Sequence, residues 1–158
     1  SPHGVPGIAL GEIYDLAPSA TPLDSRLVNT SVRAFVGGGE AVLIPGLVIS
    51  PGAPKTVLIR AVGPGLASPP FSLNDALAEP ELRLFLGDQA IGANQGWRSA
   101  ANANDIRAAA VRVGAFALGE NSRDSALLVT LPAGAYTTQI RGTNGGTGVA
   151  LVEIYEVP

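Results

Sequence analysis

One stretch of this chain occurs twice, and it constrains the fold more than any other feature. Residues 7–16 read Gly7-Ile8-Ala9-Leu10-Gly11-Glu12-Ile13-Tyr14-Asp15-Leu16, and residues 148–157 read Gly148-Val149-Ala150-Leu151-Val152-Glu153-Ile154-Tyr155-Glu156-Val157. The offset is a constant 141 residues without a gap, and the Gly, Ala, Leu and Glu-Ile-Tyr positions are identical in both copies. Side chains alternate with period two: Ile8, Leu10, Glu12 and Tyr14 share one face, Ala9, Gly11 and Ile13 the other, which reads as a β-strand. Neither face is polar throughout, so such a strand has to be covered on both sides or inserted into another sheet. Two near-identical strands at this spacing imply a repeat unit of 141 residues, with a copy of its last strand at the front.

Composition supports burial of a large part of the surface. The chain has 158 residues, enough for one domain with a sizeable core. Hydrophobic residues make up 46% and charged residues only 15%, below the ~25% of an average domain. Lys55 stands alone against nine arginines, so strand edges lack the lysines that usually block edge-to-edge pairing. A net charge of -3 is too mild to imply a nucleic-acid or anionic-membrane partner. No apolar run reaches the ~20 residues that a membrane helix needs. The chain has no Cys and no Met, and its Ser-Pro-His start is expected to follow processing.

Glycine and proline, 20 and 13 residues, punctuate the chain into short strands. After a lead over 1–6 holding His3 and a strand over 7–16, two prolines stiffen a linker over 17–25. Strands are then expected at 26–36, 41–50 (kinked at Pro45-Gly46), 55–62, 81–86, 89–93, 125–131, 135–141 and 147–157. Gly87-Asp88 predicts a hairpin turn. Asp105–Val113 is the helical candidate, capped by Asn104 or Asn102 and ended by Gly114. The reading is an all-β antiparallel sandwich, jelly-roll or Ig-like, of roughly ten strands with one short helix. Residues 1–25 form an N-terminal strand and linker, and residues 26–158 form the sandwich.

Ser125-Ala-Leu-Leu-Val-Thr-Leu-Pro-Ala-Gly-Ala-Tyr136, Arg141-Gly142 and Gly145–Tyr155 resemble the closing hairpin of bacterial pre-peptidase C-terminal-type sandwiches, with their L-P-A-G-x-Y turn. More closely, the chain is similar to repeat modules of large secreted bacterial proteins. Those modules carry segments like Arg26–Asn29, Pro54–Pro64 and Asn94–Trp97, and the same Gly-x-Ala-Leu-x-Glu-x-Tyr close. The resemblance covers about residues 7–158, implies an extracellular or cell-surface protein, and carries no enzymatic activity. Two departures stand out: Gln95-Gly96, where an acidic residue is more usual, and Gly11 in the first copy. The former weakens the case for metal binding by that loop.

Nothing in the residues assembles a catalytic site, and no cofactor is expected. A nucleophile needs a positioned base, and the single histidine, His3, lies in the lead. The acidic pairs Glu79/Glu81 and Glu120/Asp124 read as solvated loop charges. Asp88, Asn94, Asn102, Asn104 and Asp105 have oxygens that calcium could use, but turn and capping chemistry is the favoured reading of them. The Gly142–Gly148 run has no Lys-Ser/Thr after it and reads as a hairpin turn rather than a phosphate loop. Asn29-Thr30-Ser31 fits a glycosylation sequon inside a strand. Trp97, with Asn94 and Tyr136, is the candidate sugar-binding set, set against the reading of Trp97 as a core plug.

Glu12 and Glu153 are the more telling polar residues. A mid-strand carboxylate between apolar neighbours is costly unless paired, and Arg60, Arg33 and Arg141 are the candidate partners at the sandwich edge; the equal alternative is a strand-edge glutamate facing water. The duplicated strand itself admits three arrangements: a duplication relic within one sandwich, a strand given to a neighbouring subunit, or one unit of a tandem array. The second is β-strand addition, a head-to-tail contact that builds rings or filaments. It makes Ile8, Leu10, Glu12, Ile13 and Tyr14 the assembly strand, with Val149, Leu151, Glu153, Ile154 and Tyr155 as the equivalent closing strand. The expected function is a self-assembling extracellular filament or surface-layer subunit. The alternative is a carbohydrate-binding or adhesive module of a tandem-repeat protein. The expected partners are further copies of the chain in a head-to-tail homopolymer, or a polysaccharide.

Overall fold

The computed structural model describes residues 9–13 and 28–158. Eight strands form among them: β1 (Asn29–Val36), β2 (Gly46–Ile49), β3 (Lys55–Val62), β4 (Pro80–Leu86), β5 (Gln89–Gln95), β6 (Ser125–Leu131), β7 (Gly134–Gly142) and β8 (Gly148–Val157). The helices are a single turn, α1 (Pro64–Ala67), and α2 (Ala103–Arg112). The count is thus eight strands rather than roughly ten. Pro45 trims the expected strand over 41–50 to the four residues of β2, leaving Leu43 as an isolated bridge to Ile140. In the strand expected over 7–16, Ala9–Ile13 lies in no strand. Ile8, Tyr14, the lead and the linker over 17–25 lie outside the described residues.

The strands form two antiparallel four-stranded sheets, β1-β8-β3-β6 and β2-β7-β4-β5. Strands 1 and 8, 2 and 7, 3 and 6, and 4 and 5 are neighbours, so the chain is one long ribbon folded over itself, which is the jelly-roll order. Gly87 at φ 57 turns β4 into β5 as a hairpin. The other two tight connections differ from expectation. The Pro132-Ala133 turn and the Gly142–Gly148 loop cross between the sheets, because β6 and β8 belong to one sheet and β7 to the other.

Alternation sorts the central strands of the first sheet, β3 and β8, between two cores. Val57, Ile59 and Ala61 of β3 and Ala150, Val152 and Ile154 of β8 meet Leu82, Leu84, Tyr136 and Ile140 of the other sheet. On the outer face of the first sheet, Leu58 and Ala126 pack under α2 through Trp97, Ile106, Ala109 and Ala110. β3 and β8 therefore carry apolar residues on both faces because both faces are covered. The first glycine of the repeated motif is explained here. Gly148 has φ 153, and a Cβ on it would lie 2.7 Å from the Leu77 amide nitrogen, where the 75–77 segment bonds Val149.

Candidate functional site

Among the described residues, the candidate pair Arg60–Glu153 forms. Arg60 and Glu153 stand opposite each other on β3 and β8, in the middle of the sheet rather than at its edge, with Nη2 and Oε2 2.8 Å apart. Arg60 is wholly buried. That contact is not aligned as a hydrogen bond. Arg60 Nη1 instead donates to the Phe116 carbonyl at 2.6 Å, and its guanidinium lies 4.4 Å from the Phe116 ring centre. Tyr155 Oη donates to Glu153 Oε1 at 2.7 Å. Burial, that hydrogen bond and the Glu153 charge push the Tyr155 phenol up to about 12. Arg60 and Glu153 are both buried, and their contact ties β3 to β8. Arg141 bonds Gln139, and Arg33 is exposed on β1 with no ion pair among the described residues.

The sugar-binding set does not present itself to solvent. Trp97 is 2% exposed, bonds the Gly119 carbonyl through Nε1, and has Arg98 and Arg107 stacked 5.4 and 5.5 Å from its ring. Tyr136 is equally buried, in the other core, with Oη donating to the Pro132 carbonyl at 2.9 Å and locking the turn below it. Asn94 is buried too. No ring face remains for a sugar, and Trp97 and Tyr136 are on opposite sides of the sheet.

The asparagines have a different task, which the sequence reading missed. Asn94 Oδ1 accepts from the Ala126 amide, Asn102 Nδ2 donates to the Leu128 carbonyl, and the Trp97 amide donates to the Asp124 carbonyl. These even-numbered backbone groups face away from β3, so the loop seals the outer edge of β6. Asp124, fully buried, accepts from the Gly63 and Gly65 amides and pairs with the Ser122 hydroxyl. Glu81 is paired with Arg83, Glu120 with Arg98 and Arg107, and Glu79 with Arg123 beside a shallow recess at Gln95-Gly96. Among the described residues, no group of three His, Cys, Asp or Glu could hold a metal ion, and no helix is long and apolar enough to cross a membrane.

The other sheet edges are blocked in different ways. β2 has four residues between Pro45 and Pro51. β5 carries a bulge, where the register jumps from Leu84↔Gly92 to Phe85↔Ala90. β1 has no such device. It runs eight residues in unbroken register with β8, from Asn29↔Tyr155 to Val36↔Gly148, without proline or bulge. Arg33 is its only charge, and Val32 and Phe35 are 40% and 63% exposed. Such an edge is a template for another strand. The described part of the first strand copy is as open, with Leu10 84% and Ile13 74% exposed.

No protein-family profile matches this chain, and no curated protein matches it. Among solved structures it is similar to the pre-peptidase C-terminal domain of collagenase from Bacillus anthracis, at 11% identity and a TM-score of 0.49 over 80% of this chain and 89% of that domain. Neither fold nor function transfers at that level.

Proposed function

We propose that this chain is a non-catalytic structural subunit of the bacterial cell exterior that joins further copies of itself head to tail through residues 7–16. One observation carries the reading. The sandwich already holds its own closing strand, β8, between β1 and β3, so the first copy is surplus to the fold and leaves Leu10 and Ile13 uncovered. Apolar side chains at that exposure favour a covering partner, and strand addition covers them while satisfying the backbone. The composition agrees, with 15% charged residues and a single lysine. The extracellular setting rests on the likeness of the closing motif to secreted bacterial modules.

A tandem-array module is the second reading, favoured by the gapless 141-residue offset; there, residues 7–16 complete the preceding unit. Carbohydrate binding loses its support with the burial of Trp97, Tyr136 and Asn94. Negative-stain microscopy and light scattering of the chain with and without residues 1–16 separate the readings. Filaments or concentration-dependent growth only with the segment is the expected result. Monodisperse particles in both preparations would reject assembly and leave the tandem module.

A further inference from the structure

We infer that the acceptor for this segment is the free edge of β1 in a second copy, in the register that β8 already uses on the opposite edge. The inference rests on the assembly reading above and names its socket. Three observations lead to it.

The first is availability: β6 is sealed by Asn94, Asn102 and Trp97, β2 is short and flanked by prolines, and β5 is bulged. Among the described residues, β1 alone of the four edges is long and carries no proline, bulge or capping side chain.

The second is side-chain match. β1 is paired on one edge with β8, and the donor is a copy of β8 at an offset of 141. Moving each β8 partner back by 141 sets Thr30 opposite Ile13, Ser31 opposite Glu12, Val32 opposite Gly11, Arg33 opposite Leu10 and Ala34 opposite Ala9. All ten are described residues. The backbone is compatible with this pairing. The Glu156 amide donates to the Val28 carbonyl, so in β1 the backbone groups of Thr30, Val32 and Ala34 face β8. Those of Ser31 and Arg33 therefore face the free edge. The added strand also keeps Ala9, Gly11 and Ile13 on the face that continues the inner core and Leu10 and Glu12 on the outer one, as in β8.

The third is charge. Glu12 lands opposite Ser31 and diagonal to Arg33, within reach of a long side chain, and Arg33 has no ion pair among the described residues.

The chain lacks cysteine, so the register can be read by disulfide trapping. Glu12→Cys and Ser31→Cys, made separately and mixed under mild oxidation, should give a two-chain disulfide product at several times the yield of either alone. Opposed residues of an antiparallel pair sit ~5.5 Å apart at Cα, within disulfide range. Ile13→Cys mixed with Ser31→Cys points its thiols to opposite faces and should give background only. The double variant Glu12→Cys/Ser31→Cys should form a ladder of linked chains. A double variant that only cyclises within one chain would overturn the inference, placing the segment on its own edge. Filaments of the unmodified chain without the cross-link would overturn the β1 assignment and leave the assembly reading intact. Absence of assembly by light scattering would reject both.

Discussion

Arg60 and Glu153 bring two charges into the middle of a sheet, and the arrangement works only as a pair. Removing Glu153 leaves a guanidinium fully enclosed. Breaking a buried pair in this way costs about 3–5 kcal/mol. Glu153→Leu should therefore lower Tm by roughly 6–20 °C for a domain of this size, and Arg60→Met combined with it should restore most of the loss. Thermal denaturation followed by circular dichroism checks both; a Glu153→Leu chain as stable as the parent would show that the pair is not required. This pair was legible in the sequence as a mid-strand carboxylate needing a cation, and Arg60 was among the candidates. Its place between central strands was not, because alternation gives the face of a residue but not which strand lies beside it. Asn94 and Asn102 were misjudged for a related reason. Their polarity marks a need for partners, and only the fold shows that the partners are the edge groups of β6.

At the scale of elements, β3, β6 and β8 follow directly from apolar alternation between turn residues, and α2 from its alanine run. The α1 turn was hidden because its Gly-Pro-Gly setting argues against helix. It stands because Asp124 satisfies the Gly63 and Gly65 amides at its start. The jelly-roll order was beyond sequence, since short connections look alike whether they turn within a sheet or cross to the other. Gly11 is the element-level difference between the two strand copies. It occupies the place of Val152, and a Cβ on it meets nothing within 4 Å. Valine favours an extended strand over glycine by up to about 1 kcal/mol. Gly11→Val should therefore lower the concentration at which assembly begins by about fivefold, read by light scattering across a dilution series. An unchanged threshold would mean that residues 7–16 do not become a strand in the assembly.

The whole sandwich carries the linkage between Tyr155 and pH. The folded state holds the phenol at about 12, above its ordinary value of 10.0. Below the unfolded value the proton is bound in both states and the contribution is complete. As pH rises from about 10 through about 12, the unfolded chain releases the proton first, and stability drains away. Urea midpoints measured at about pH 9 and about pH 11.5 should fall for the parent chain and fall less for Tyr155→Phe. An equal fall in both would assign the alkaline loss to other groups.

The central position of β8 also dictates an order of events. β1 pairs with β8 from Asn29 to Tyr155, a separation of 155 - 29 = 126 residues, and β3 is joined to β1 only through the same strand. Loops of that span close late and slowly. During synthesis the β4–β5 hairpin can form as soon as the seven residues of β4, the Gly87-Asp88 turn and the seven residues of β5 are made. In the first sheet β3 can pair with β6 as soon as Leu131 is made, but β1 joins it only with Gly148–Val157. Until that strand arrives, β1 and β3 remain separate, each with an unfilled edge, and the first sheet stays open at its centre.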